Sequence, residues 1–171
     1  VDRFIGAVRG ASFVLGAAAA ALIALGVVVV CEMVFVRYVL GHNTIWQTDF
    51  VTYSLVAATF IGSPYVLMTR GHVNVDVLPH YAGPRLRYGL AVFAAFVALA
   101  FAVAMAIFTF LFWKEAWDNS WVSDTMWRAR LWIPYASMPI GLSMLALQCL
   151  VDLGALLSGR EPPFGMSKAM P

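Results

Sequence analysis

Charge is the scarcest property of this chain. Only 12% of its 171 residues are Asp, Glu, Lys or Arg, and 62% are hydrophobic. A soluble domain is about half apolar and a quarter charged. Polar surface this scarce cannot cover the chain in water, so most of its outside must face lipid or another apolar protein surface. The net charge of +2, without a dense basic patch, gives no footprint for a nucleic-acid partner. Cysteine is nearly absent too. Cys31 and Cys149 both lie in apolar runs, outside any Cys-x-x-Cys pair or Cys/His cluster, and read as small hydrophobes in packed helices. No cleavable signal peptide is expected: the first apolar run is about twice the length of a signal h-region, and no small-residue cleavage site follows it.

Histidine is missing from the apolar runs. A membrane b-type haem takes its axial ligands at membrane depth, so these runs offer it none. A Ser/His/Asp set, a phosphate loop and paired carboxylates on one helix are lacking as well. No catalytic residue, cofactor or metal is therefore assigned. His72, Asp76 and His80 stand four apart, and a continuous helix would align them as metal ligands. Gly71 and Pro79 argue against such a helix. The stretch from residue 70 to 78 reads instead as a membrane-surface segment, with Val73, Val75, Val77 and Leu78 dipping into lipid and Arg70 near the headgroups.

What the chain has in quantity is long apolar sequence. Residues 11–31 run 21 positions without a charge, which at ~1.5 Å per residue spans a hydrocarbon core of ~30 Å. A first membrane helix is predicted over about 11–36, before Arg37 and Tyr38. Gly16, Ala20 and Ala24 recur every fourth residue, a small-residue row that lets another helix approach. A second helix is predicted over 50–68. Pro64, after Gly62 and Ser63, predicts a kink and frees a carbonyl that a neighbouring helix or hydroxyl must satisfy. The third, over 86–113, is long enough to tilt or protrude. Its Ala94, Ala98, Ala102 and Ala106 share a stripe, for packing within the chain or for docking a partner. The fourth covers 131–156, with Pro134 in its first turn and Pro139 as a bend. The expected fold class is all-α integral membrane: four transmembrane helices in one domain, 11–158, between an N-terminal flank, 1–10, and a tail, 159–171.

Four spans place both termini on one side. Arg3, Arg9, Arg70, Arg85, Arg87, Arg160 and Lys168 fall there, against Arg37, Lys114, Arg128 and Arg130 opposite. This bias predicts cytoplasmic termini. The 37–49 loop and the 114–130 connection then face outward. Trp113, Trp117, Trp121, Trp127 and Trp132, in or beside that connection, read as an interfacial belt or as a cage for a ligand. Cys31 and Cys149 fall at opposite depths, beyond the ~7 Å Cα limit of a disulfide. Glu32 is expected inside the outer edge of the bilayer, where an acid is costly unless paired. Arg37, five positions on, is poorly placed to pair with it, so a partner on another helix is expected. An ion or proton path needs further buried polar groups, and none is evident in the runs.

One ordered set of residues points further. Arg37-Tyr38 closes the first helix, and Trp46 and Asp49 open the second, which carries Tyr53 and Gly62. Arg70, His72-Val73, Val75-Asp76 and Leu78 follow, then Ile133-Pro134 and Pro139-Ile140-Gly141. Over about residues 10–155 this resembles the DctQ-type small permease subunit of tripartite ATP-independent periplasmic (TRAP) transporters. Thr48-Asp49 stands where that family usually has two adjacent acids. The resemblance implies a non-catalytic multi-pass subunit of the bacterial inner membrane. It would brace a larger DctM-type subunit that holds the substrate and sodium sites, while a soluble DctP-type periplasmic protein delivers an organic acid. Glu32, Arg37, Trp46, Asp49, Tyr53, Arg70, His72, Asp76, Arg128 and Arg130 are the candidate partner or interface contacts. Arg128 and Arg130 are expected to make salt-sensitive contacts to the delivery protein. Membrane lipids are further partners. The competing reading is a membrane anchor of a multi-subunit redox complex. A self-sufficient transporter is disfavoured, because the runs lack the polar groups and inverted repeat such proteins use.

Overall fold

The computed structural model describes residues 2–69 and 84–158. These form helices α1 (Asp2–Tyr38), α2 (Gln47–Met68), α3 (Pro84–Asp118), α4 (Trp132–Tyr135) and α5 (Ser137–Leu157). Among the described residues, β pairing is limited to one isolated bridge between Val122 and Arg130. Four segments are long and apolar enough to cross a membrane: Ile5–Tyr38, Gln47–Met68, Tyr88–Asp118 and Trp132–Leu157. The candidates Arg70, His72 and Asp76, together with His80 and the tail, lie outside the described residues.

The helices stand in the order α1, α2, α5, α3. Helix α1 packs on α2 and, less extensively, on α5; α2 packs on α5 and α5 on α3, with no comparable α1–α3 packing among the described residues. The result is an open row, with α5 inside it and the most buried of the four spans. Helix α3 runs past its apolar stretch through Lys114 and Glu115 to Asp118, both good helix formers. It stops in a Schellman motif: Ser120 sits at φ 49°, Trp121 N–H bonds the Ala116 carbonyl and Ser120 N–H that of Trp117.

These helices are apolar on every side, so hydrophobicity does not mark which face packs. The inner edge of α1 is Val8, Ser12, Leu15, Ala19, Leu22, Gly26, Val29, Met33 and Val36. Steps of four and three alternate along it, the repeat of shallow left-handed crossings. The Gly16–Ala20–Ala24 row is not this edge. Gly16 meets α2, where a Cβ would fall 2.4 Å from Tyr65 Cγ, but Ala20 and Ala24 are exposed. On α3 the inner edge is Ala91, Ala95, Leu99, Ala102, Ala106, Thr109, Trp113 and Ala116, with Ala94 and Ala98 exposed. The predicted stripe thus splits. Its Ala102 packs within the chain against Ala146 and Cys149, with Leu67, Leu99 and Leu145 around them. Both cysteines are free thiols.

The two proline sites resolve differently. Pro64 lies inside continuous α2 and leaves the Phe60 carbonyl without its helical donor. Ser63 Oγ donates to that oxygen at 2.8 Å. Gly141 of α5 presses on the same group, so closely that a Cβ there would lie 2.1 Å from Phe60 O. Hydroxyl and neighbouring helix therefore meet at one defect. At Pro139 the helix divides instead, with Ala136 standing between α4 and α5. The carbonyl that Pro139 cannot bond is that of Tyr135, the last residue of α4.

One expectation is corrected inside the row. Ser12 and Gln148 are 0% and 1% exposed, so the spans do bury polar groups. Ser12 Oγ donates to Gln148 Oε1 at 3.3 Å, and Gln148 Nε2 donates to Asp152 Oδ1 at 3.0 Å. Bonded at both ends, the amide is satisfied away from water and ties α1 to α5.

Candidate functional site

Glu32, Arg37, Trp46, Asp49, Tyr53, Arg128 and Arg130 collect at one end of the row. There α1 ends, α2 begins, and residues 119–131 connect α3 to α4. The α1–α2 turn needs a left-handed residue, and Gly41 supplies it at φ 63°. Arg37 Nη2 donates to Thr44 Oγ1 at 2.8 Å across that turn. Glu32 is exposed and accepts from Gln47 Nε2, at 3.3 Å, in the first turn of α2. Gln47 is buried, and its Oε1 has no partner. Sequence reasoning passed over Gln47, although a long amide at the mouth of an apolar run was the available signal.

Asp49 sits in the first turn of α2, where the helix dipole favours an anion. It accepts a hydrogen bond from the Thr125 hydroxyl of the 119–131 connection. Thr125 Oγ1 also lies 2.9 Å from Ser123 Oγ. Ser123 and Thr125 carried no signal, being short hydroxyls in a polar loop. The connection folds back on itself: Ser123 N–H bonds Ala129 O at 2.9 Å, Leu131 N–H bonds Trp121 O at 3.0 Å, and Arg128 N–H bonds Thr125 O at 3.0 Å. Arg128 is held at φ 49°, a left-handed conformation that costs a non-glycine residue roughly 1–2 kcal/mol. Its backbone direction is therefore imposed by the loop.

The tryptophans pack on other rings. Trp46 stands edge-on to Phe50, centroids 5.9 Å apart, and 6.5 Å from Trp127. Trp117 meets Trp132 at 4.4 Å and Trp113 at 5.7 Å. Trp113 Nε1 donates to the Trp132 carbonyl at 3.0 Å. Phe112 lies between Trp121 and Tyr135. Each indole combines a broad apolar face with a polar edge, and those of Trp113, Trp117 and Trp132 fasten the end of α3 to α4.

Below the connection, between α2 and the α4–α5 pair, lies an open pocket of about 600 Å³. Its walls are mostly apolar, and Arg128 and Arg130 also line it. The described residues at this end form charged, aromatic and hydrogen-bonded surface, suited to holding a partner.

Residues 26–159 match the family described as tripartite ATP-independent periplasmic transporters, DctQ component. The chain belongs to this family. The DctQ component is a subunit of a transporter and not an enzyme, and the match sets aside the redox-anchor reading. The matched span includes every candidate contact, from Glu32 to Arg130. Among curated proteins, this DctQ chain is similar to the C4-dicarboxylate TRAP transporter small permease protein DctQ of Vibrio cholerae. The two are 25% identical over 148 residues, covering 74% of this chain and 64% of that protein. The chain thus spans just under two thirds of the length of the curated relative it matches.

Proposed function

We propose that this DctQ chain is the non-transporting small subunit of a sodium-coupled TRAP transporter in the bacterial inner membrane. Its termini are cytoplasmic. It braces a large DctM-type subunit, which holds the substrate and sodium sites. It also helps dock a DctP-type periplasmic protein that delivers an organic acid. The family match over residues 26–159 carries this proposal. The Vibrio cholerae relative names C4-dicarboxylates, and we extend to this chain only the broader class of organic acids.

Two structural features support the assignment of roles. Helices α1 and α3 turn large apolar side chains outward, among them Phe13, Phe35, Phe93, Phe101 and Phe108. Such faces suit lipid and a permanent membrane partner. At the other functional level, Arg37, Trp46, Asp49 and the 119–131 connection form one linked surface for the delivery protein, with Arg128 and Arg130 supplying salt-sensitive contacts. The test is uptake by the whole transporter together with binding of the delivery protein over a range of salt. Reversing both arginines to Glu is expected to slow association and flatten its salt dependence. Unchanged binding and transport would count against the docking role.

A further inference from the structure

We propose that the pocket beneath the 119–131 connection binds one anionic phospholipid. Its apolar lining includes Leu22, Ala57, Ile61 and Ile140. Nearer the connection come Tyr53 and Ser54, eight and seven residues before Ile61 on α2, a rise of roughly 10–12 Å. Arg128 and Arg130, on the connection itself, complete the lining at that end. Ser54 is only 6% exposed. Among the described residues, neither its hydroxyl, nor that of Tyr53, nor either guanidinium has a partner. Four residues with polar side chains thus line one mostly apolar pocket without protein partners, leaving their donors available to a ligand.

The order of these groups matches a phospholipid from tail to head. Hydrocarbon fills the wall, ester oxygens accept from the Tyr53 and Ser54 hydroxyls, and the phosphate meets two guanidiniums. Arginine suits that last contact because its fork binds phosphate through two parallel hydrogen bonds. The volume of about 600 Å³ lies in the ~300–1,000 Å³ range of ligand sites. Each guanidinium has five donors, so a bound phosphate leaves some free for the delivery protein. The lipid proposal rests on membrane residence and not on that docking role.

The experiment uses the full chain purified in mild detergent with its large partner subunit and no delivery protein, so its outcome is separate from docking. After delipidation, binding of phosphatidylglycerol, phosphatidylcholine and inorganic phosphate is followed by native mass spectrometry. The expected result is one phosphatidylglycerol per chain, weaker phosphatidylcholine and no retained phosphate ion. Arg128→Gln with Arg130→Gln is expected to weaken phosphatidylglycerol roughly thirtyfold, from the usual contribution of two cations at a lipid surface. Phosphatidylcholine should change little. Ala57→Phe, which fills the pocket, is expected to remove both lipids. Equal binding of the two lipids, or undiminished phosphatidylglycerol in the arginine variant, overturns the proposal. So does a photocrosslinker at position 57 that captures the large subunit instead of lipid. The arginines lie on an exposed connection, so their result decides the matter even where Ala57→Phe does not assemble.

Discussion

Replacing Gly141 by Ala tests the closest approach that a described glycine makes to a neighbouring helix. The added methyl would lie 2.1 Å from Phe60 O and 2.4 Å from Phe60 C, an ångström or more inside the 3.4 Å at which ordinary contact begins. Both atoms are backbone, so no side-chain rotation relieves the clash, and α2 and α5 must part. Overpacking of this kind costs ~1–3 kcal/mol. Separation also uncovers the carbonyl that Pro64 leaves short of a donor. The control is Gly154→Ala on the same helix, where nothing lies within 4 Å of the new methyl. There the change should stabilise by up to ~1 kcal/mol through helix propensity. The two variants should differ by about 1–4 kcal/mol, or on the order of 2–16 °C in thermal midpoint for a chain of this size. Thermal unfolding of the purified complex in one detergent measures it. Equal midpoints for the two variants would refute the packing argument.

Three further outcomes follow from particular contacts. Ser63→Ala removes the hydroxyl from Phe60 O and should cost about 1 kcal/mol; adding Pro64→Ala returns a backbone donor and should erase most of that loss in a double-mutant cycle, whereas additive effects would disprove the shared carbonyl. Gln148→Leu breaks both Ser12–Gln148 and Gln148–Asp152 and should destabilise by ~1–3 kcal/mol, so an unchanged midpoint would show that the buried amide does not tie α1 to α5. Glu32→Gln converts a charge-assisted bond with Gln47 into a neutral one and should cost about 1 kcal/mol; unaltered assembly and stability would make a pairing role for Glu32 untenable.

The membrane class was plain in the sequence because composition alone decides it: long uncharged runs cannot be hidden in water. The packing faces were not. In α1 the residues facing α2 and those facing outward are equally apolar, so nothing distinguished Ala19, which is buried, from Ala20, which is not. Likewise Ala94 and Ala98 share the alanine spacing of Ala102 and Ala106 on α3, yet are exposed. Pro64 announced a freed carbonyl, and Ser63 beside it was a readable donor. That Gly141 would lie against Phe60 depends on tertiary register, which no local pattern carries. The site divided in the same way. Charged and aromatic residues flanking the runs marked Glu32, Arg37, Trp46 and Asp49, but their partners Gln47, Thr44 and Thr125 are small or uncharged and emerge only when the chain folds. The pocket is less legible still, since its lining comes from α1, α2, α4, α5 and the connection at once.

The account depends most on the division of labour between subunits. Vesicles containing this chain alone, the large subunit alone, or both should be given the delivery protein, an organic acid and an inward sodium gradient. Uptake is predicted only where both membrane subunits are present. Uptake driven by this chain alone would contradict the account outright.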